Sequence, residues 1–121
     1  MVEHVLDSLL ASSTAITAIT PRIYPLVLPN EAVLPAVEYL FVGASSKPTF
    51  STRGITTYRV EINCWGNSYA DAVALRDAVK NTLSGYTDGV TTIQFLSQMD
   101  LFDEQLLQYR AVCEFYLISS L

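Results

Sequence analysis

The sequence predicts an α+β fold: a two-layer sandwich in which a mostly antiparallel sheet of four to five strands is covered on one face by two helices. Two observations lead to this prediction. Residues 58–83 have the pattern of a strand, a turn and a helix in direct succession, and segments with strand-like alternation precede and follow them. A chain of 121 residues accommodates one core, so residues 1–121 are expected to form a single domain.

The central strand is predicted from about Ile55 to Trp65. Successive side chains of a strand point to opposite faces of the sheet, so its residues divide into two sets. The set that we expect to be buried consists of Tyr58, Val60, Ile62 and Cys64.

The helix that follows has a capping signal at its start and a stop signal at its end. Ser68 and Asp71 have the spacing of a capping box, with Asp in place of the usual Glu or Gln. Gly85 is a typical C-terminal stop, so the helix is expected to end at Leu83. Its apolar residues recur at helical spacing and predict a buried stripe made of Ala72, Leu75, Val79 and Leu83.

The first part of the chain is predicted to contain helices and an extended segment. Residues 2–11 form an amphipathic helix, and residues 14–19 form a second helical turn that Pro21 ends. Residues 22–29 are extended. Because Pro25 has no N–H to donate, this segment is either an edge strand or a strap over the sheet.

Three further strands are predicted from alternating apolar residues at positions 35–43, 91–97 and 109–118. Together with the central strand they are joined as a hairpin, a helical crossover and a second hairpin. These connections imply a mostly antiparallel sheet. If the two strands joined by the helix are parallel, the crossover should be right-handed.

Two long connections remain, residues 44–54 and 98–108. Hairpin connections usually have two to five residues, so connections of this length are expected to have a functional role. The first carries bases and an aromatic residue, and the second carries acids and large apolar residues. The residues concerned are Lys47, Phe50 and Arg53 in the first, and Asp100, Leu101, Phe102, Asp103 and Glu104 in the second.

On a monomer the apolar residues of these connections would be exposed, which is unfavourable. One explanation is that they fold back onto the edges of their own sheet. The other is that the basic connection of one copy contacts the acidic connection of the next, because two different surfaces that meet head to tail can close into a ring. We take the residues named above as a candidate interface between copies.

The charge balance limits the partners of the chain. It has 12 acidic and 7 basic residues and a net charge of −5. It therefore lacks the basic surface on which non-specific binding to nucleic acid or to anionic membranes depends. Its apolar runs are shorter than the roughly 20 residues of a membrane span, and its acidic amino terminus does not resemble an export signal. We expect synthesis in the cytoplasm.

Residues with catalytic or metal-binding chemistry are few. His4 is the single histidine, and the two cysteines, Cys64 and Cys113, lie on the predicted core faces of their strands. A metal site needs four converging ligands, or three and a water, and a nucleophilic cysteine needs a base beside it. Trp65 either stacks on a ligand or covers the core. The sequence predicts no enzyme, no cofactor and no metal site.

Several segments, in this order along the chain, carry a family resemblance. They are Arg22-Ile23-Tyr24-Pro25-Leu26-Val27-Leu28-Pro29, Leu34-Pro35-Ala36-Val37-Glu38-Tyr39, Ile62-Asn63-Cys64-Trp65 and Ser68-Tyr69-Ala70-Asp71-Ala72. With the closing strand after a hairpin, they make the chain resemble the tail-completion family of tailed phages and prophages. That family is similar in fold and role to the tail-terminator proteins of the head–tail junction.

The resemblance implies a virion structural protein of the tail or neck, without catalytic residues. Such a subunit assembles into a homo-oligomeric ring, typically a hexamer, that ends the tail tube and contacts the tail-tube and head-completion proteins. DNA would pass through its lumen without specific binding. One alternative is another neck or tail-tube component of the virion. Another is a small-ligand-binding α+β regulatory domain, which would need a pocket with converging polar groups.

Overall fold

A computed structural model describes residues 2–26, 33–47, 55–104 and 108–120. The elements along the chain are α1 (Val2–Ser12), α2 (Thr14–Thr17), β1 (Ile23–Pro25), β2 (Ala36–Lys47), β3 (Ile55–Gly66), α3 (Tyr69–Leu83), β4 (Thr91–Asp103) and β5 (Gln108–Ser119). In the described part of the chain the strands form a five-stranded sheet in the order β1-β2-β3-β5-β4.

The sheet is mixed but mostly antiparallel. β1 is parallel to β2, whereas β2–β3, β3–β5 and β5–β4 are antiparallel pairs. It follows that β3 and β4, the strands that α3 connects, run in the same direction with β5 between them. The predicted α+β sandwich is therefore confirmed, and β1 is an edge strand as its proline indicated. The handedness of the crossover stays a prediction.

The core lies between the helices and one face of the sheet. All four residues of the predicted stripe on α3 are buried, and so are Val60, Ile62 and Cys64 of β3. Tyr58 is half-buried and meets Phe41 edge to face, with ring centroids 5.6 Å apart. The short helices contribute Leu6, Leu10 and Ile16 to the same cluster. The alternation of apolar residues thus predicted the core face correctly.

The turn between β3 and α3 is tightly built. The Ser68 side chain accepts a hydrogen bond from the backbone N–H of Asp71 at 3.2 Å, which confirms the predicted N-cap. A Cβ atom on Gly66 would lie 2.7 Å from the backbone nitrogen of Ala72, so the close approach of strand and helix requires glycine here. At the other end of the helix Gly85 has a φ of +80°, as expected for a residue that stops a helix.

The prediction of long connections at 44–54 and 98–108 was wrong for much of both segments. Residues 44–47 belong to β2, where Ala44 pairs with Tyr58 and Lys47 with Ile55. Residues 98–103 belong to β4, where Asp100 pairs with Ala111. Strand propensity is low for such small polar and acidic residues, but pairing with a neighbouring strand overrides it. Residues 48–54 and 105–107, with Phe50 and Arg53 among them, lie outside the described residues.

Candidate subunit interface

Lys47 and the acidic candidate residues lie at opposite ends of the sheet. Lys47 is at the end of β2, beside Ile55 at the start of β3. Asp103 is at the end of β4, which runs in the same direction as β3. β3 has 12 residues, and at about 3.3 Å per residue the two ends are about 40 Å apart. Contact between Lys47 and Asp103 therefore requires two copies of the chain.

Asp100 already has partners within its own chain. Its Oδ1 accepts from Nη1 of Arg76 at 2.7 Å, and its Oδ2 accepts from the hydroxyl of Tyr69 at 2.7 Å. Arg76 is 9% exposed and also lies 3.3 Å from a carboxylate oxygen of Asp77. These bonds fasten the end of β4 to α3, so the structure gives Asp100 a structural role in addition to its predicted contact with another copy.

Sequence reasoning missed this ion pair, although one signal was available. Arg76 is next to Leu75 and three residues before Val79, so it borders the buried stripe of α3. A charged residue in such a position normally has a partner, because burial of an unpaired charge is costly. The partner could not be identified because Asp100 was expected in a connection and not in a strand beside α3.

The apolar residues of this segment divide between the two faces of the sheet. Leu101 is opposite Arg110, and Phe102 is opposite Tyr109. Ala111 and Cys113 point into the core, so alternation along β5 and β4 places Leu101 and Met99 on the face without helices. We call this the open face. Phe102 lies on the helix side, where its ring is 4.8 Å from that of Tyr109. All three apolar side chains are exposed.

A shallow groove of about 170 Å³ crosses the open face beside these residues. It is lined by Glu61, Ser97, Gln98, Met99, Leu101, Val112 and Glu114. One of its two carboxylates, that of Glu114, accepts a hydrogen bond from Nη2 of Arg59 at 2.7 Å. Small-molecule sites are usually about 300–1,000 Å³, so the groove is smaller than a typical small-molecule site.

The other predicted residues show no arrangement for catalysis. His4 is exposed on α1, and both cysteines are buried with free thiols. A hydrogen bond with Cys113, together with burial, raises the pKa of the Cys64 thiol well above its ordinary value, which disfavours the nucleophilic thiolate. The guanidinium of Arg110 lies 5.2 Å from the ring centroid of Trp65. Among the described residues no group of three or more His, Cys, Asp or Glu side chains is placed to hold a metal ion.

Burial and the carboxylate of Asp7 raise the pKa of Tyr39 to about 12. The Tyr39 hydroxyl donates to Oδ1 of Asp7 at 3.2 Å. The folded protein keeps this proton at a pH where the unfolded chain, with an ordinary pKa of about 10, loses it. Stability from this group is therefore complete below pH ~10 and is lost as the pH rises towards ~12.

We predict that the free energy of unfolding falls by about 1 kcal/mol between pH ~9 and ~11 through Tyr39 alone. Urea unfolding at a series of pH values should show a shallower decline for Tyr39→Phe than for the parent. Tyr116→Phe, on the other face of the sheet, is the control and should follow the parent. Parallel curves for the parent and Tyr39→Phe would contradict the prediction.

These features define a class of protein, an α+β domain with buried thiols and with candidate contact residues at both ends of its sheet. The sequence matches the family described as Tail completion protein gp17 over residues 5–119. The chain therefore belongs to this family, and it is a structural tail protein of a phage-like virion.

A comparison of structures agrees with this fold. A chain in a solved structure described as "Virion of native gene transfer agent (GTA) particle" is similar to this chain with a TM-score of 0.70 and 16% sequence identity, over 94% of this chain and 90% of that chain. At this identity the similarity concerns the fold. No curated protein matches the sequence. None of the described helices has the length and hydrophobicity needed to cross a membrane.

Proposed function

We propose that the protein forms a ring of six copies that ends the tail tube and joins it to the head. Membership of the tail completion family over residues 5–119 is the observation that carries this proposal. The position of Lys47 and of the acidic residues at opposite ends of one sheet supports it, since unlike surfaces on one chain can lead to head-to-tail assembly.

In this ring Lys47, Phe50 and Arg53 of one copy contact the acidic segment of the next. That segment consists of Asp100, Leu101, Phe102, Asp103 and Glu104. The whole chain, 1–121, acts as one domain, made in the host cytoplasm and incorporated into the virion tail or neck. One side of the ring binds the tail-tube protein and the other binds the head-completion protein. A net charge of −5 is compatible with a lumen through which DNA passes without being held.

Native mass measurement and negative-stain microscopy of the purified protein test the ring. We expect closed rings of one size. Long tubes would indicate a tail-tube component, and monomers at every concentration would contradict self-assembly. In the phage or prophage, deletion of the gene should give tails of irregular length that do not join heads. Tails of normal length attached to heads would refute the proposed role.

The interface is tested by charge reversal. Lys47→Glu with Arg53→Glu should weaken assembly, most strongly at low salt, where exposed charges are least screened. Each exposed ion pair contributes no more than about 1 kcal/mol, so Phe50→Ala is expected to weaken assembly at least as much. Native mass measurement over a range of concentrations measures the change.

Two further variants control this experiment. Asp103→Lys with Glu104→Lys, added to the double reversal, should restore assembly by exchanging the signs of both sides. Ala11→Glu with Thr17→Glu adds negative charge at exposed helix positions and should leave the oligomer unchanged. An unchanged oligomer in the Lys47→Glu, Arg53→Glu variant would dismiss this interface.

A further inference from the structure

One exposed turn carries a pair of residues that is prone to spontaneous chemical change. Asp88 and Gly89 lie between α3 and β4, and both are exposed. Of the six aspartates in the sequence, Asp88 is the one that glycine follows. Aspartate before glycine is the most reactive aspartyl sequence for conversion to isoaspartate, because glycine has no side chain to hinder attack by its own backbone nitrogen on the carboxyl group before it.

The reaction needs no enzyme and no reactant other than water. The backbone nitrogen of Gly89 bonds to Cγ of Asp88, and its proton leaves with the hydroxyl of the protonated carboxyl group as one molecule of water. A second molecule of water then opens the cyclic imide. When it breaks the bond between the nitrogen and the original main-chain carbonyl carbon, the chain continues through the Asp88 side chain as isoaspartate, with its mass unchanged.

The native turn holds the Asp88 carboxylate by both of its oxygens. Oδ1 accepts hydrogen bonds from the backbone N–H of Thr91 at 2.7 Å and of Val90 at 2.9 Å. Oδ2 accepts from the hydroxyl of Tyr86 at 3.2 Å. Hydrogen bonds to a carboxylate favour its ionised form, and those from Thr91 and Val90 hold the pKa of Asp88 below its ordinary value.

These bonds oppose the attack of the Gly89 nitrogen on Asp88. The carboxyl group must be protonated before it can lose a hydroxyl group, and the native turn disfavours protonation. Ring closure also removes one of the two oxygens and the negative charge, so it weakens every bond that the carboxylate accepts. The backbone adds to the constraint, since Asp88 donates to the carbonyl of Thr91 at 3.1 Å and Ile93 donates to that of Tyr86 at 2.9 Å.

Isoaspartate at position 88 does not fit this turn. It adds one methylene group to the main chain and moves the carboxylate, so the native bonds to Val90 and Thr91 are lost. Thr91 is 1% exposed and is the first residue of β4, where its hydroxyl lies 3.0 Å from that of Ser119. The change therefore loosens the start of an edge strand.

We propose that the Asp88-Gly89 pair is a site of spontaneous isoaspartate formation in this protein, and that the hydrogen bonds of the native turn slow the reaction. The inference does not depend on the ring. A subunit of a virion is not replaced once the particle is assembled, so the modification accumulates with the age of the particle, at a rate that this turn sets.

The experiment compares the folded protein with the same protein in urea, during several weeks at slightly acidic pH. Isoaspartate is measured with the enzyme that methylates isoaspartyl residues, and peptide mapping locates it. Asn67 before Ser68 also gives isoaspartate, but only with loss of ammonia, so the changed mass of its peptide identifies it. Asp88→Ser is the control that should give no isoaspartate at position 88.

We expect isoaspartate at position 88 to form at least about tenfold more slowly in the folded protein than in urea, because one hydrogen bond to a charged group already changes an equilibrium by about this factor. Equal rates in the two conditions would overturn the protection by the turn. No isoaspartate at position 88 in urea would overturn the site itself.

A single hydrogen bond is tested by Tyr86→Phe, which removes the hydroxyl and keeps the ring. The folded variant should form isoaspartate several-fold faster than the parent, whereas in urea the two should react at the same rate. Tyr116→Phe, on the open face, is the matched control and should follow the parent in both conditions. Circular dichroism checks that each variant is folded. An unchanged rate in folded Tyr86→Phe would overturn the assignment of the slow rate to the bonds of the carboxylate.

Discussion

Replacement of Phe115 by alanine is expected to lower the free energy of unfolding by about 3–5 kcal/mol. Phe115 is the largest of the fully buried side chains, and its ring meets Phe95 edge to face with the centroids 5.8 Å apart. It lies on β5, between Val60 of β3 and Phe95 of β4. A cavity at this position therefore removes contacts from three strands at once. Small domains have about 5–15 kcal/mol of stability, so the loss is large.

Urea unfolding, followed by circular dichroism, measures this loss. Tyr116→Ala is the matched control, because Tyr116 is the next residue on the same strand but is exposed on the open face. We expect the control to cost about 1 kcal/mol or less. Equal losses for the two variants would mean that the layer of helices does not cover Phe115 in solution.

The same alternation explains why much of the fold was predictable from the sequence. In β5 the apolar residues Ala111, Cys113 and Phe115 lie at every second position, and the strand was predicted within one residue of each observed end. The cap at Ser68 and the stripe on α3 are equally local signals. Each depends on residues within one element, so it can be read without knowledge of the neighbouring elements.

The parts that could not be predicted depend on contacts distant in sequence. Residues 44–47 have poor strand propensity, and two aspartates interrupt the apolar residues of 98–103. Pairing with β3 and β5 keeps both segments extended. The insertion of β5 between β3 and β4 is likewise not encoded in any one segment. This insertion places β2 and β4 at opposite sides of the antiparallel sheet, which no local pattern in the sequence indicates.

The candidate interface was also only partly predictable from the sequence, because some of its contacts join residues distant in sequence. Its residues were selected from charge and exposed apolar character, which are local properties. The bonds of Asp100 to Arg76 and Tyr69 join positions 24 and 31 residues apart, and no local pattern indicates them. The structure therefore changes how a variant of Asp100 is interpreted, since its effect on assembly includes an effect on the fold.

Asp100→Asn is expected to lower the free energy of unfolding by about 2 kcal/mol. Loss of one partner of a buried ion pair costs about 3–5 kcal/mol, and the value is smaller here because the Asp100 side chain is 38% exposed. Among the described residues, the neutral amide leaves the buried guanidinium of Arg76 with Asp77, at 3.3 Å, as its remaining charged partner. Arg76→Met removes that buried charge and fills its place with an apolar side chain, so it should cost less.

A double-mutant cycle completes this prediction. Asp100→Asn is expected to be destabilising because it leaves the buried charge of Arg76 without its main partner. If so, the variant with both substitutions should be about as stable as Arg76→Met alone, with a coupling energy of about 1–2 kcal/mol. Additive losses in urea unfolding would show that the ion pair contributes nothing.

Native mass measurement of the same variants then separates the two roles of Asp100, in the fold and in assembly. Arg76→Met keeps the carboxylate available to a second copy but removes its attachment to α3. Weaker assembly in this variant would therefore show that the attachment positions the end of β4 for contact.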